Sequence, residues 1–369
     1  MTLKSLTAND IASRKDVLVA MAAATGSLLL DPIRQLVGVI PSSIEEIQPH
    51  RVGVDEVADL EEMVRLSTKW GAQTGSRMRK AVIGGVNSAI ELLEETPSGP
   101  LKTRLFEVAA QMTQGAGFMS YHARMYGVAQ RYYLWAVRFS REIGNRRLAA
   151  KVIGDMSRLA TDMGNHQEAL ELLASALYCL PIHRQGLVQA ELLGFQASAQ
   201  ALLGDASGAR RAVETSLDAS ANATDDLSLP IFEYLKPTFI SYVATAAYTN
   251  IARLDGPRVA TSHLLAQAEE HAKAALEEDD HFPAYRALDT IQLMNVRLLQ
   301  GEPLEGVRLG NSVMEFASGV QSSRIINRLI KFDREVRERH PRLPEIREFQ
   351  ERLRIHLLNS GEKEASVVA

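Results

Sequence analysis

Along most of the chain, apolar side chains recur three and four residues apart, and runs that alternate with a period of two are nearly absent. The stretch 166–180 shows the pattern well. Ala169, Leu172, Leu173, Ala176 and Leu180 fall on one face of a helix, with Glu168, Glu171 and Ser175 opposite. Pro181 closes it, because a proline ring and its missing N–H cannot continue the helical hydrogen-bond ladder. Glycine and proline gather between such stretches, so the spacing predicts an all-α chain of short amphipathic helices.

A repeat organises them. Ala129 and Ala136 are seven apart, as are Ala169 and Ala176, and Ala209 and Ser216. The first members recur every 40 residues, and a larger apolar residue (Tyr133, Leu173, Val213) lies inside each pair. Small residues at this spacing let one helix approach its neighbour closely, while the large one fills the gap between hairpins. Met163-Gly164-Asn165 and Leu203-Gly204-Asp205 supply turns in register with the repeat. Weaker units carry Ala268, Ala272 and Ala275, then Gly306, Gly310 and Val313.

The step from Ala209 to Ala268 is 59 residues, which places an insertion of about nineteen near 221–240. Within it, 222–230 reads as a surface loop. Four regions are expected: an Ala-rich helical segment over 1–53, a helical hairpin over 54–100, repeats over 101–320, and a C-terminal helical cap and tail over 321–369. The charged pair 323–340 and 345–358 is expected to give the stack a wettable outer face.

With 46% hydrophobic and 23% charged residues among 369, the sequence can fold, and a solenoid accommodates that length without one large core. A net charge of −4 lacks the basic excess of a domain that grips nucleic acid over a wide surface. The single cysteine, Cys179, excludes an intrachain disulfide and fits a reducing cytoplasm; on the second helix of a hairpin it reads as a small buried hydrophobe. Ser13-Arg14-Lys15 followed by Val17–Ala24 has the outline of an export signal, against which a buried Ala-rich helix is the preferred reading. No stretch is apolar for long enough to predict a transmembrane span.

Residues 159–181 resemble a tetratricopeptide repeat, with Met163-Gly164 at the turn, then Ala169, Leu173, Ala176 and Pro181. Ile153 stands where such repeats carry an aromatic residue. The expected architecture is therefore a right-handed α-solenoid of stacked TPR-like hairpins, with an irregular helical N-terminal region and a helical C-terminal cap. Gly117-Phe118-Met119, Gly127–Asn145 and Arg147–Gly164 also resemble the C-terminal repeat region of actinobacterial XRE-type (helix-turn-helix) transcriptional regulators. That resemblance implies cytoplasmic transcriptional control, with the repeats receiving a signal or partner. The stretch before Val54 is expected to carry the Ala-rich helix and not a complete helix-turn-helix beside it.

In stacked hairpins the first helices line the concave surface, so their exposed stripe holds the candidate contacts. Gln111, Gln114, Phe118, Tyr121 and His122 belong to one unit, Lys151, Arg158, Thr161 and Asp162 to the next, and Glu191 and Ser198 to a third. Phe118 and Tyr121 are suited to aromatic anchoring, and Lys151 and Arg158 to clamping a carboxylate or phosphate. Arg131, Arg138, Arg141, Arg146 and Arg147 form a basic run on the convex side, which could meet DNA phosphates or an acidic partner, though a solvated face is the preferred reading.

No nucleophile elbow, phosphate loop or His-x-x-x-His pair occurs, and His271 and His281 near Asp279-Asp280 read as a solvated helix end. No catalytic residues, cofactor or metal are expected. The expected function is regulatory binding of a protein or peptide in the concave groove, in transcriptional control. A DNA-binding regulator and an exported helical-repeat binding protein stand as alternatives. The apolar stretch 17–40 adds homodimerisation to the expectations.

Overall fold

The computed structural model describes residues 3–12, 53–180, 186–224, 227–255, 259–277 and 282–360. The Ala-rich stretch after Arg14, the apolar run to residue 40, and His281 with Asp279-Asp280 lie outside them. Among the described residues there are fifteen α-helices and no strand. They are α1 (Leu3–Ala12), α2 (Val54–Thr74), α3 (Arg79–Glu95), α4 (Pro100–His122), α5 (Tyr126–Glu142), α6 (Arg146–Asp162), α7 (His166–Cys179) and α8 (Leu187–Leu202). After them come α9 (Ala206–Ala221), α10 (Pro237–Asp255), α11 (Val259–Leu276), α12 (Pro283–Leu299), α13 (Pro303–Phe316), α14 (Ser323–Arg339) and α15 (Pro344–Ser360). A short 3₁₀ turn, Pro230–Phe232, precedes α10.

From α2 onward, consecutive helices pair into antiparallel hairpins, and each hairpin packs on the next to give an all-α, TPR-like solenoid. The small residues of the 40-residue repeat, Ala129, Ala136, Ala169, Ala176, Ala209 and Ser216, are all buried, as are Tyr133, Leu173 and Val213 between them. The fit is close: a Cβ on Gly117 would come within 2.7 Å of the Tyr133 ring. Hairpin turns end on glycines with positive φ, +85° at Gly164 and +90° at Gly204, a conformation side-chain-bearing residues rarely adopt. Caps then start the following helices. Asn145 Oδ1 accepts from Leu148 N at 3.0 Å, and Asp205 Oδ1 from Gly208 N at 2.8 Å. Cys179 is half-buried and packs against the core.

The stack curls until its ends meet. Helix α2 contacts α12, and α4 contacts α14. The junction is an isolated bridge between Gly75 and Gln321. Ser76 N donates to Gln321 O at 2.8 Å, and Gln321 N donates to Thr74 O at 3.0 Å. Gly75 has φ +66°, and a Cβ there would collide with the Gln321 carbonyl. Beside the bridge, buried His122 Nδ1 lies 2.9 Å from Ser322 Oγ, and that oxygen also accepts from Ile325 N at 3.3 Å to cap α14. A clasp thus closes the solenoid around its own concave face.

The insertion lies on that inner side. Ile231, Phe232 and Leu235 are buried, and Ile231 N donates to Gln111 Oε1 at 3.3 Å. The expected surface loop 222–230 keeps Asn222, Thr224 and Ser228 exposed, and the residues just after it turn inward to fill the ring. Helix α14 also departs from expectation. Instead of wetting the end of the stack, its charged stripe faces the interior, because closure turns the terminal repeat's open face onto α4 and α12.

Candidate functional site

The enclosed face holds two adjoining cavities, of about 260 and 450 Å³, with Arg158, Tyr242 and Arg324 in the walls of both. Their polar residues come from helical stripes. On α6, Lys151, Asp155, Arg158 and Asp162 are spaced four, three and four apart, which puts all of them on one side of the helix. On α14, Arg324, Arg328, Lys331, Glu335 and Glu338 repeat that geometry. Helix α10 supplies Phe239, Tyr242, Asn250 and Arg253.

In the smaller chamber, Phe118, Phe239, Tyr234 and Tyr285 form an aromatic lining over a buried ionic network. Lys151 Nζ lies 2.6 Å from Asp155 Oδ1 and 3.7 Å from Glu191 Oε1, and all three side chains are at most 3% exposed. Gln114 Nε2 donates to the other Asp155 oxygen at 2.7 Å, and Tyr234 OH donates to Glu191 Oε1 at 2.8 Å. The ammonium also sits 5.3 Å from the Tyr234 ring centroid. Two carboxylates face one ammonium here. Burial pushes the Glu191 carboxyl above its ordinary range, more than Lys151 pulls it down.

The larger chamber is built the opposite way. Arg158, Arg324 and Arg328 face it, and the carboxylate among them is Asp162. Arg324 is 4% exposed, yet its Nε and Nη1 make no hydrogen bond; Nε lies 3.4 Å from Asp162 Oδ2, and the guanidinium stacks 4.7 Å from the Tyr121 ring. Arg158 rests on rings, 4.9 Å from Phe195 and 6.0 Å from Phe239. Arg328 Nη1 reaches Tyr242 OH at a long 3.4 Å. Asp162 accepts a short 2.5 Å hydrogen bond from Tyr121 OH. The mouth carries exposed Lys331, Arg334 and Glu338, and an Arg253–Glu335 pair at 2.8 Å.

The cationic excess lowers Tyr242 and Asp162, whereas burial keeps the Tyr121 phenol above its ordinary range. Burial pushes the Tyr242 phenol up, but Arg328, Arg324 and Arg158 outweigh it and bring it down to about 8. Burial likewise opposes ionisation of Asp162, and the same arginines with the Tyr121 hydrogen bond hold it below the ordinary carboxylate range. His122, behind this wall, is kept well below 6.5 by burial and then by Arg324, Arg158 and Arg328.

Of the residues singled out in the sequence, Gln114, Phe118, Lys151 and Arg158 line the smaller chamber, and Tyr121, Arg158, Thr161, Asp162 and Ser198 the larger. Glu191 lies beneath the first, bonded to Tyr234. Gln111 is buried under the 3₁₀ turn, and His122 is buried at the clasp. Among the convex arginines, Arg138 is exposed with its guanidinium 4.9 Å from the Trp135 ring, and exposed Arg146 donates to Tyr178 O at 3.2 Å. Arg141 is exposed, and Arg131 and Arg147 are half-buried; none of the five lines either cavity.

The wall residues from α10, α12 and α14 escaped sequence reading. The insertion breaks the 40-residue register before α10, and the stripe on α14 looks like a solvated cap. The recurrence of Arg324, Arg328 and Lys331 with the helical period was the available signal. Among the described residues, no group of three His, Cys, Asp or Glu side chains is placed to hold a metal, and no helix is long and apolar enough to cross a membrane.

No protein-family model matches the sequence, and no curated protein sequence is significantly similar to it. Among solved structures, NprR in complex with its cognate peptide NprX is similar over 93% of this chain and 88% of that one, at 12% identity and a TM-score of 0.49. The TPR domain of P58(IPK) is similar over 83% of this chain and 80% of that one, at 12% identity and a TM-score of 0.25. Likenesses of this strength leave the ligand to be read from the chain's own side chains.

Proposed function

We propose that this protein is a regulatory receptor that binds a peptide or protein segment inside its closed solenoid and performs no turnover. The observation that supports this best is the composition of the interior wall. Aromatic faces, charged groups and amides converge on a ring-enclosed space from the concave helices α4, α6, α8, α10, α12 and α14 and from the 3₁₀ turn. Such convergence suits an extended chain, whose side chains need apolar seats and whose amides need partners. Asn250 and Gln292 make no hydrogen bond to another described residue, so their amides are free to serve a bound main chain.

The resemblance of 117–164 to the repeats of XRE-type regulators supports a place in transcriptional control, in the cytoplasm. There, occupancy would bias the clasp between closed and open forms and so alter what the outer surface engages.

Native mass spectrometry of the full chain after exposure to a cytosolic peptide fraction tests the reading. A discrete peptide mass is expected on the wild type, lost in Phe239→Ala/Asn250→Ala and retained in Arg138→Ala. A bound mass that survives the cavity double variant, or no bound mass at all, would sink it.

A further inference from the structure

We infer that the larger chamber contains an anion subsite, formed by Arg158, Arg324 and Arg328 around Asp162, whose ligand is a doubly charged oxyanion such as a phosphoryl group. This deepens the receptor reading by naming the chemistry of one end of the ligand. Free phosphate and a phosphoryl group carried on a peptide share that chemistry.

The charge count leads here. The chamber is lined by six cationic side chains and three carboxylates, and on its inner wall Arg158, Arg324 and Arg328 meet one acid, Asp162. In the neighbouring chamber Lys151 meets Asp155 at 2.6 Å and Glu191 at 3.7 Å, and Gln114 and Tyr234 bond the carboxylates at 2.7 and 2.8 Å. Arg324 has an ion pair, its Nε 3.4 Å from Asp162 Oδ2, yet Nε and Nη1 are buried without a hydrogen bond. Buried donors in that state are costly, and since those two nitrogens are closed off, the guanidinium can meet a ligand only through Nη2.

Arg158 and Arg328 leave donor capacity facing the same space. Arg158 is held by ring faces that fix its plane and use none of its N–H groups, and Arg328 makes one long contact. Guanidiniums held flat with free edges are suited to bidentate capture of oxyanions. With the inner wall in cationic excess, a dianion is favoured there over a monoanion. Asp162 acts as a positioning residue: with Tyr121 it fixes the Arg324 plane, and its charge rejects an anion placed too close to α6. At the mouth Arg253, Lys331 and Arg334 outnumber Glu335 and Glu338, and that excess would raise the encounter rate.

The test uses the full chain and inorganic phosphate at fixed ionic strength, with chloride and acetate as monoanion controls. Saturable phosphate binding is expected by calorimetry. Occupation of the subsite should cancel the field on Tyr242, so the ultraviolet phenolate signal that titrates near 8 should move upward. Arg328→Gln and Arg158→Gln should each weaken phosphate roughly tenfold, and Arg328→Lys should recover part of the loss.

Without anion, both glutamine variants should melt at higher temperature than the wild type, because they relieve like-charge repulsion. A merely structural arginine would give the opposite sign. A phosphopeptide binding more tightly than inorganic phosphate assigns the subsite to a carried phosphoryl group, and equal affinities assign it to the free ion. Phosphate indistinguishable from chloride, or phosphate affinity unchanged in both arginine variants, overturns the proposal. If phosphate binds as described and no peptide is ever retained, the subsite stands and the receptor reading fails. If a peptide binds and phosphate does not, the receptor reading stands and the subsite fails.

Discussion

The two halves of the interior use the same kinds of residue to opposite ends. Around Lys151 the charges are saturated: ammonium, two carboxylates, an amide and a phenol bond one another, with Glu191 Oε2 left over. Around Arg158 three cations share one carboxylate, and donors remain unused. The difference separates a buried network that specifies how α4, α6 and α8 pack from one poised for something outside the chain. Buried charge by itself says nothing of function; the unbalanced remainder is informative.

The sharpest way to break the comparison is to unbalance the first chamber. Lys151→Met leaves Asp155 and Glu191 buried beside each other without their cation, and a broken buried pair costs about 3–5 kcal/mol. The urea midpoint should fall accordingly at unchanged slope, in contrast to the stabilisation expected from removing Arg328. Adding Glu191→Gln should return part of the loss, since it removes one of the two stranded charges. A Lys151→Met midpoint equal to wild type would show that the network does not hold the helices.

The clasp gives a smaller, pH-dependent effect. His122 is kept well below 6.5 by burial and by the fields of Arg324, Arg158 and Arg328, with Asp162 acting the other way. As pH falls, the unfolded chain takes up this proton first. The contribution of neutral His122 is therefore complete above 6.5 and is lost below it, by at most about 1.4 kcal/mol per pH unit. The protection factors of the Ser76 and Gln321 amides, the bridge donors, should fall on acidification once exchange is corrected for its intrinsic slowing. In His122→Gln that fall should vanish. The loss is specific to the clasp if the α6 amides, next to the saturated network, keep their protection.

The all-α solenoid was legible because its determinants are local and repeated: the spacing of Ala169, Leu173 and Ala176, and glycine turns in step with them. The inward stripe of α6 was legible for the same reason, since Lys151, Arg158 and Asp162 lie within one regular unit. Closure was not. It depends on Gly75 meeting Gln321 and on His122 meeting Ser322, pairs separated by some two hundred residues that no local pattern announces. Because closure went unseen, the charged stripe of α14 read as a wet outer face, and the arginines that complete the second chamber were placed on the wrong side of the molecule. The inward turn just after Pro230 went unseen for a related reason: Ile231, Phe232 and Leu235 have an interior to fill only once the ring is closed.

The convex arginines provide the smallest expected effect and the cleanest control, since they match the inner ones in residue type and differ in surroundings. Arg138 is exposed, packs its guanidinium on Trp135, and points away from both cavities. Water and salt screen its charge, so Arg138→Ala should change stability by no more than ~0.5 kcal/mol. Phosphate affinity should stay within about twofold of wild type for the same reason. Against this baseline the tenfold loss and the stabilisation expected at Arg328 can be assigned to position and not to net charge, because each variant removes one positive charge from the same chain. A drop in phosphate affinity at Arg138 comparable to that at Arg328 would mean that the anion responds to the protein's overall field, and the contrast between saturated and unsaturated chambers would lose its functional meaning.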